Sequence, residues 1–171
     1  MWEFVLKFRL PLGQEEPTAW LDALFEAGCD DATVGTGRRG SIALDFSREA
    51  VSAETAVRSA IADVLKAIPG ALLIEIAPDL VNLADLAEIV GCSRQNIRKY
   101  AAGEIRAVAA AFPDPVYTGN PSLWRLVEAL IWLERNTDIH PDPRSVELAR
   151  VASEVGADIQ HRRLTGLIAA E

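Results

Sequence analysis

The chain has 171 residues, 50% hydrophobic and 25% charged, a composition that suits one ordinary soluble domain or two small ones. Average Gly and Pro usage, and the lack of any apolar run near the roughly 18 residues of a membrane helix, exclude fibrous, disordered and membrane-spanning classes. The net charge is −8 and divides unevenly, with 7 basic and 13 acidic groups in residues 1–80 against 10 and 12 in residues 81–171.

The start, Met1-Trp2-Glu3-Phe4, lacks the basic segment and apolar core of a secretory signal, so a cytoplasmic protein without membrane partners is expected. Cys29 and Cys92 belong to no CxxC pair, which points to free thiols rather than to a disulfide framework or a zinc site.

Trp2, Phe4, Leu6, Phe8 and Leu10 alternate with Glu3, Lys7 and Arg9, the pattern of a strand with one buried face. A helix is expected next, opened by Pro17 at its first turn, carrying Trp20, Leu21, Leu24 and Phe25, and stopped at Gly28. The aromatic set Trp2, Phe4, Phe8, Trp20 and Phe25 reads as core. Asp30 and Asp31 read as solvated turn residues. Ala32–Thr36 and Ser41–Phe46 flank the turn Gly37-Arg38-Arg39-Gly40 and predict a hairpin, its two arginines solvated.

Ser52 is placed to cap a helix whose apolar stripe comprises Ala56, Val57, Ala60, Ile61, Val64, Leu65 and Ile68, ending at Pro69-Gly70. Leu72, Ile74 and Ile76 predict a last strand. The order βαββαβ is that of the ferredoxin-like or split βαβ arrangement, and the expected fold class is α+β.

Beyond Pro78-Asp79 short helices take over, with a hairpin expected near Phe112–Trp124 and a further helix over 123–135. The expected domains are therefore 1–79, 80–136, and a helical extension over 137–171 with a helix from about Ser145. No internal repeat stands out.

The most informative stretch runs from Asn82 to Tyr100. Asn82 can cap a helix with Asp85 near its positive end, while Leu83, Leu86 and Val90 supply a buried face. Ala87 is small where a second helix must cross, and Gly91 permits a left-handed turn. Ser93 then caps the second helix and Ile97 returns to the core, leaving Arg94, Gln95, Asn96, Arg98 and Lys99 to face outward.

This spacing resembles a helix-turn-helix, and the run from Gly91 to Tyr100 is similar to the recognition segment of MerR-type and AlpA-like (excisionase-type) regulators. The resemblance continues through Phe112–Gly119, Leu123–Val127 and Trp132-Leu133, where those families place a wing and then a helix. It covers about residues 82–135. The N-terminal domain lies outside it, and the long coiled coil that follows in typical MerR proteins is absent, so metal or drug sensing is not implied. What the resemblance implies is a winged helix-turn-helix, sequence-specific double-stranded DNA binding, and a role in transcription regulation or recombination directionality.

In that geometry the second helix lies in the major groove with its first turns nearest the bases. Arg94 and Arg98 share a face and could each contact guanine, Gln95 or Asn96 adenine, with Ser93 at the helix start. Lys99 suits a phosphate. Arg106, Tyr117 and Arg125 are implied as backbone contacts that set register. The segment 91–112 holds Arg94, Arg98, Lys99 and Arg106 against Glu104, and acidic groups beyond a Debye length of about 8 Å are screened.

No P-loop, dinucleotide glycine pattern or GxSxG occurs, so no enzyme and no cofactor are expected. His140 and His161 have no ligand-spaced companions, so no metal is expected either. The N-terminal domain is a candidate for homo-oligomer formation or for sensing a small-molecule effector. The alternative reading is a protein-interaction module, an antitoxin or adaptor, whose acidic N-terminal domain meets a basic partner.

Overall fold

The alternating start forms β1 (Trp2–Arg9), and its apolar row sets the first core. The structure is a computed structural model and describes residues 1–168, with side chains to residue 166. It is α+β, with two compact units: Met1–Ala77 together with the chain from Glu154, and Pro78–Ser153. Among the described residues no helix is long and apolar enough to cross a membrane.

In the first unit, β1 is followed by a single 3-10 turn over Pro17–Trp20, then α1 (Leu21–Ala27), β2 (Ala32–Gly35), β3 (Ser41–Arg48), α2 (Ala53–Ala67) and β4 (Leu72–Ala77). The four strands form one sheet in the order β2-β3-β1-β4, with every pairing antiparallel. Pairing of β1 with β3 runs the full length from Trp2↔Arg48 to Arg9↔Ser41. It brings Phe4, Leu6 and Phe8 into one row with Phe46, Leu44 and Ile42, all buried, and Phe4 and Phe46 stack at 5.4 Å. Each such side chain contributes about 2 kcal/mol by leaving water.

Local chemistry sets the helix ends. Gly28 stops α1 at φ +102°, a conformation that only glycine adopts cheaply. Ser52 Oγ accepts from Thr55 N at 3.1 Å and so caps α2.

Four expectations for this unit are corrected. Phe25 is 69% exposed, because α1 is only seven residues long and buries just Leu24 fully. Leu65 and Leu72 are likewise exposed. The alternation expected through Leu72, Ile74 and Ile76 breaks at a bulge: Phe8 pairs with Leu73 but Lys7 with Glu75, so Ile74 is the extra residue and the row changes phase. Asp31 is no mere solvated turn residue, since Arg48 Nε donates to its carboxylate at 2.7 Å.

Arg48 continues the buried row Ile42, Leu44, Phe46, so its guanidinium enters the core and must be fully partnered there. It donates also to Asp63 at 2.7 Å, Ser59 at 3.1 Å and the Gly28 carbonyl at 2.7 Å, and lies 4.9 Å from the Phe46 ring centroid. The Asp31 hydrogen bond holds its proton more tightly than in water, against the opposing effect of burial.

The second unit holds β5 (Leu80–Val81), α3 (Leu83–Ile89), α4 (Arg94–Ala101), β6 (Trp124–Arg125) and α5 (Leu126–Asn136). β5 and β6 pair antiparallel, and Leu86, Ala87, Ile97, Leu126, Leu130 and Trp132 belong to its core. The helix expected over 123–135 starts only at Leu126, because Trp124 and Arg125 are taken up by the strand pairing. The final helix, α6 (Pro143–Ile168), starts at Pro143, ahead of the expected Ser145. The extension 137–171 is not a separate piece: its residues up to Ser153 belong to the second unit and those from Glu154 to the first. Residues 169–171 of it lie outside the described residues.

Candidate nucleic-acid interface

Between Asn82 and Tyr100 the local chemistry builds two short helices around one turn. Asn82 Oδ1 accepts from Ala84 N at 2.7 Å and Asp85 N at 3.1 Å, and Asp85 Oδ2 accepts from Asn82 N at 3.1 Å. This reciprocal capping box satisfies the donors that open α3. At the other end Gly91 takes φ +68°, and Cys92 N donates back to Ala87 O at 2.9 Å, so the chain reverses within Val90–Cys92.

Ser93 Oγ accepts from Asn96 N at 3.2 Å and caps α4. Ile97 is fully buried beside Leu86 and Ala87. Fixing Ile97 inward leaves Arg94, Gln95, Arg98 and Lys99 exposed. Arg94, Gln95 and Arg98 line one shallow depression together with Leu83 of α3. Among the described residues, no acidic side chain forms a salt bridge with Arg94, Arg98, Lys99 or Arg106. Ser93 is occupied by its capping role, and Asn96 is half-buried.

The segment expected as a wing is a loop closed by a short bridge. Val116 N donates to Leu123 O at 2.8 Å and Leu123 N to Tyr117 O at 2.9 Å, with Tyr117 and Leu123 as bridge partners. Trp124 Nε1 donates to the Pro113 carbonyl at 3.0 Å, and Phe112 meets both Trp124 and Trp132 edge-on, at 6.3 and 4.9 Å. The loop is thus anchored at its base, while Tyr117 is 57% exposed. A Cβ at position 119 would overlap the Tyr117 ring, so Gly119 is needed for that ring to lie across the loop.

Arg125 departs from its expected role. Its Nη1 donates to both oxygens of Asp79 at 2.8 Å, and Asp79 is buried. Burial raises the Asp79 carboxyl above its ordinary range although Arg125 pulls the other way. The Asp79 carbonyl also accepts from Leu126 N at 2.8 Å, at the start of α5. Arg125 is therefore a structural partner of a buried carboxylate, not a free phosphate contact. Nothing local to Pro78-Asp79 marks this carboxylate as buried, and its partner lies 46 residues away in sequence.

Arg38 and Arg39 are exposed, and Arg39 approaches Glu15 at 3.3 Å. His140 and His161 are exposed too, and the described residues contain no group of three or more His, Cys, Asp or Glu that could hold a metal. Burial raises the thiol of Cys29 to about 11 and shifts that of Cys92 upward. Comparison of the chain with family models, curated proteins and solved structures finds no match.

Proposed function

We propose that the second unit is a winged helix-turn-helix that binds double-stranded DNA at specific sites and regulates transcription or recombination there. The observation that carries this reading is the exposed set Arg94, Gln95, Arg98 and Lys99 along α4, without an acidic salt-bridge partner among the described residues and held outward by the burial of Ile97. With eight residues, α4 is about 12 Å long, enough for its first two turns to meet a few base pairs in the major groove. Arg94 and Arg98 read guanine, Gln95 reads adenine, and Lys99 and Arg106 meet phosphates. Tyr117, exposed on the anchored loop, is the backbone contact of the wing.

We read the first unit as ferredoxin-like, a reading supported by its sheet order β2-β3-β1-β4 and its βαββαβ succession of elements. In this reading it serves self-association or effector sensing, and the protein is a homo-oligomer on its site. The acidic balance of residues 1–80 weakens non-specific DNA binding, so two copies on adjacent half-sites supply the affinity that one lacks.

Selection of bound duplexes from a random pool tests the proposal. The expected result is an enriched sequence in two copies, spaced by about one helical turn. Recovery of no enriched sequence overturns it and favours the adaptor reading.

A further inference from the structure

The first unit contains a groove of about 1110 Å³ that the DNA-binding reading does not use. Its floor is aliphatic: Ile61 and Leu65 of α2, Leu72 and Leu73 of β4, and Ile159 of α6. Leu65 and Leu72, which the sequence pattern assigns to the core, stay exposed there. Its rim is cationic. Among the described residues, Arg9, Arg58, Arg162 and Arg163 line it against one carboxylate, Asp158, with His161 beside them. That charge is opposite to the acidic balance of residues 1–80.

The four guanidiniums are not equally engaged. Arg58 is bound to Glu54 at 2.8 Å, and Arg162 Nε donates to the Asp158 carbonyl of its own helix at 3.3 Å. Arg163 Nη2 donates to the Ile74 carbonyl at 2.9 Å. Ile74 is the bulged residue of β4, an edge strand, so one donor orients the Arg163 fork and its others remain available. Arg9 has no acidic partner among the described residues.

We infer that this groove binds an amphipathic organic anion, a carboxylate carried on an aliphatic body, with the carboxylate held by Arg9 and Arg163 and the chain laid on Leu65, Leu72 and Ile159. Leu65 and Leu72, both exposed in the free chain, leave water when an alkyl chain covers them, and a guanidinium fork matches a carboxylate's two oxygens. At about 1110 Å³ the groove admits such a ligand along part of its length. A bare inorganic anion would leave the floor wet, and a nucleic acid would find no Phe, Tyr or Trp to stack on among the described lining residues.

Calorimetric titration of the full chain with decanoate, below its aggregation concentration, tests the inference. Decanol supplies the chain without the charge, and inorganic phosphate the charge without the chain. The expected result is saturable decanoate binding, with decanol and phosphate each at least about tenfold weaker. The Arg9→Ala/Arg163→Ala variant loses about tenfold in decanoate affinity, the scale of one charge-assisted hydrogen bond. Leu65→Glu, at an exposed position that leaves the core intact, also abolishes binding. Failure of decanoate to bind overturns the inference, as does equal binding of decanol or an unaffected double arginine variant. A dimer that Leu65→Glu splits, with no decanoate bound, likewise overturns it in favour of a second copy in the groove. None of these outcomes depends on whether the second unit binds DNA.

Discussion

One nitrogen of Arg125, Nη1, donates to both carboxylate oxygens of Asp79 at 2.8 Å across 46 residues of sequence. Because Asp79 is buried, removing its partner leaves a charge without compensation. Arg125→Ala is expected to lower stability by about 3 kcal/mol at neutral pH. The loss shrinks at acid pH, where the already raised Asp79 carboxyl takes up a proton and no longer needs the cation. Denaturant unfolding at pH 7 and pH 4 checks both parts. Equal losses at the two values would mean that the arginine acts through packing alone.

Arg48 poses the same problem more sharply, with two carboxylates, Asp31 and Asp63, on one buried guanidinium. Arg48→Met is expected to cost about 3–5 kcal/mol. Arg48→Lys should restore only part of this, since an ammonium cannot reproduce the fork that spans Asp31, Asp63 and the Gly28 carbonyl. Thermal unfolding of the two variants ranks them.

Cys29 yields a pH dependence with a definite sign. Burial, reinforced by Asp63, raises its thiol from 9.0 to about 11, so the folded chain holds this proton more tightly than the unfolded one. The associated stability is present in full below pH 9 and disappears as pH rises to about 11. Unfolding free energies measured at pH 8.5 and pH 11 should therefore diverge less in Cys29→Ala than in the parent chain. An identical alkaline fall in both would contradict the assignment.

The turn between α3 and α4 depends on Gly91 at φ +68°, and nothing lies within 4 Å of the point where a Cβ would stand. The cost of a side chain there is conformational and not steric contact, so Gly91→Ala should lose about 1 kcal/mol and Gly91→Asn less. Equilibrium unfolding of both variants gives the order.

What can be read from sequence follows from the range of the interactions. Asn82, Ser93, Gly28 and Ser52 act on neighbours within a few residues, and their caps and stops are visible as spacing. The row Trp2, Phe4, Leu6, Phe8 is legible because strand alternation is local. Arg48 stands in phase with Ile42, Leu44 and Phe46, so its burial is implicit in that same alternation, but its partners Asp31 and Asp63 are 17 and 15 residues away. The bulge at Ile74 depends on pairing with β1, and the exposure of Phe25 on how little of α1 the sheet covers. At the candidate interface, the outward set on α4 follows from Ile97 and the cap. Arg125 reads as a free cation in the sequence because only folding brings Asp79 to it.

Duplex binding across a salt series tests the proposed role of the α4 cations Arg94, Arg98 and Lys99 most directly. With the selected duplex, the parent chain should bind with an affinity that falls steeply as salt rises, and Lys99→Ala should reduce the slope of log K against log salt by about 1. Arg94→Ala/Arg98→Ala, folded by circular dichroism, should lose about a hundredfold or more in affinity if both forks read guanine as proposed. A parent chain that binds no duplex even at low salt, or a double variant that binds the same duplex as tightly, would contradict the account.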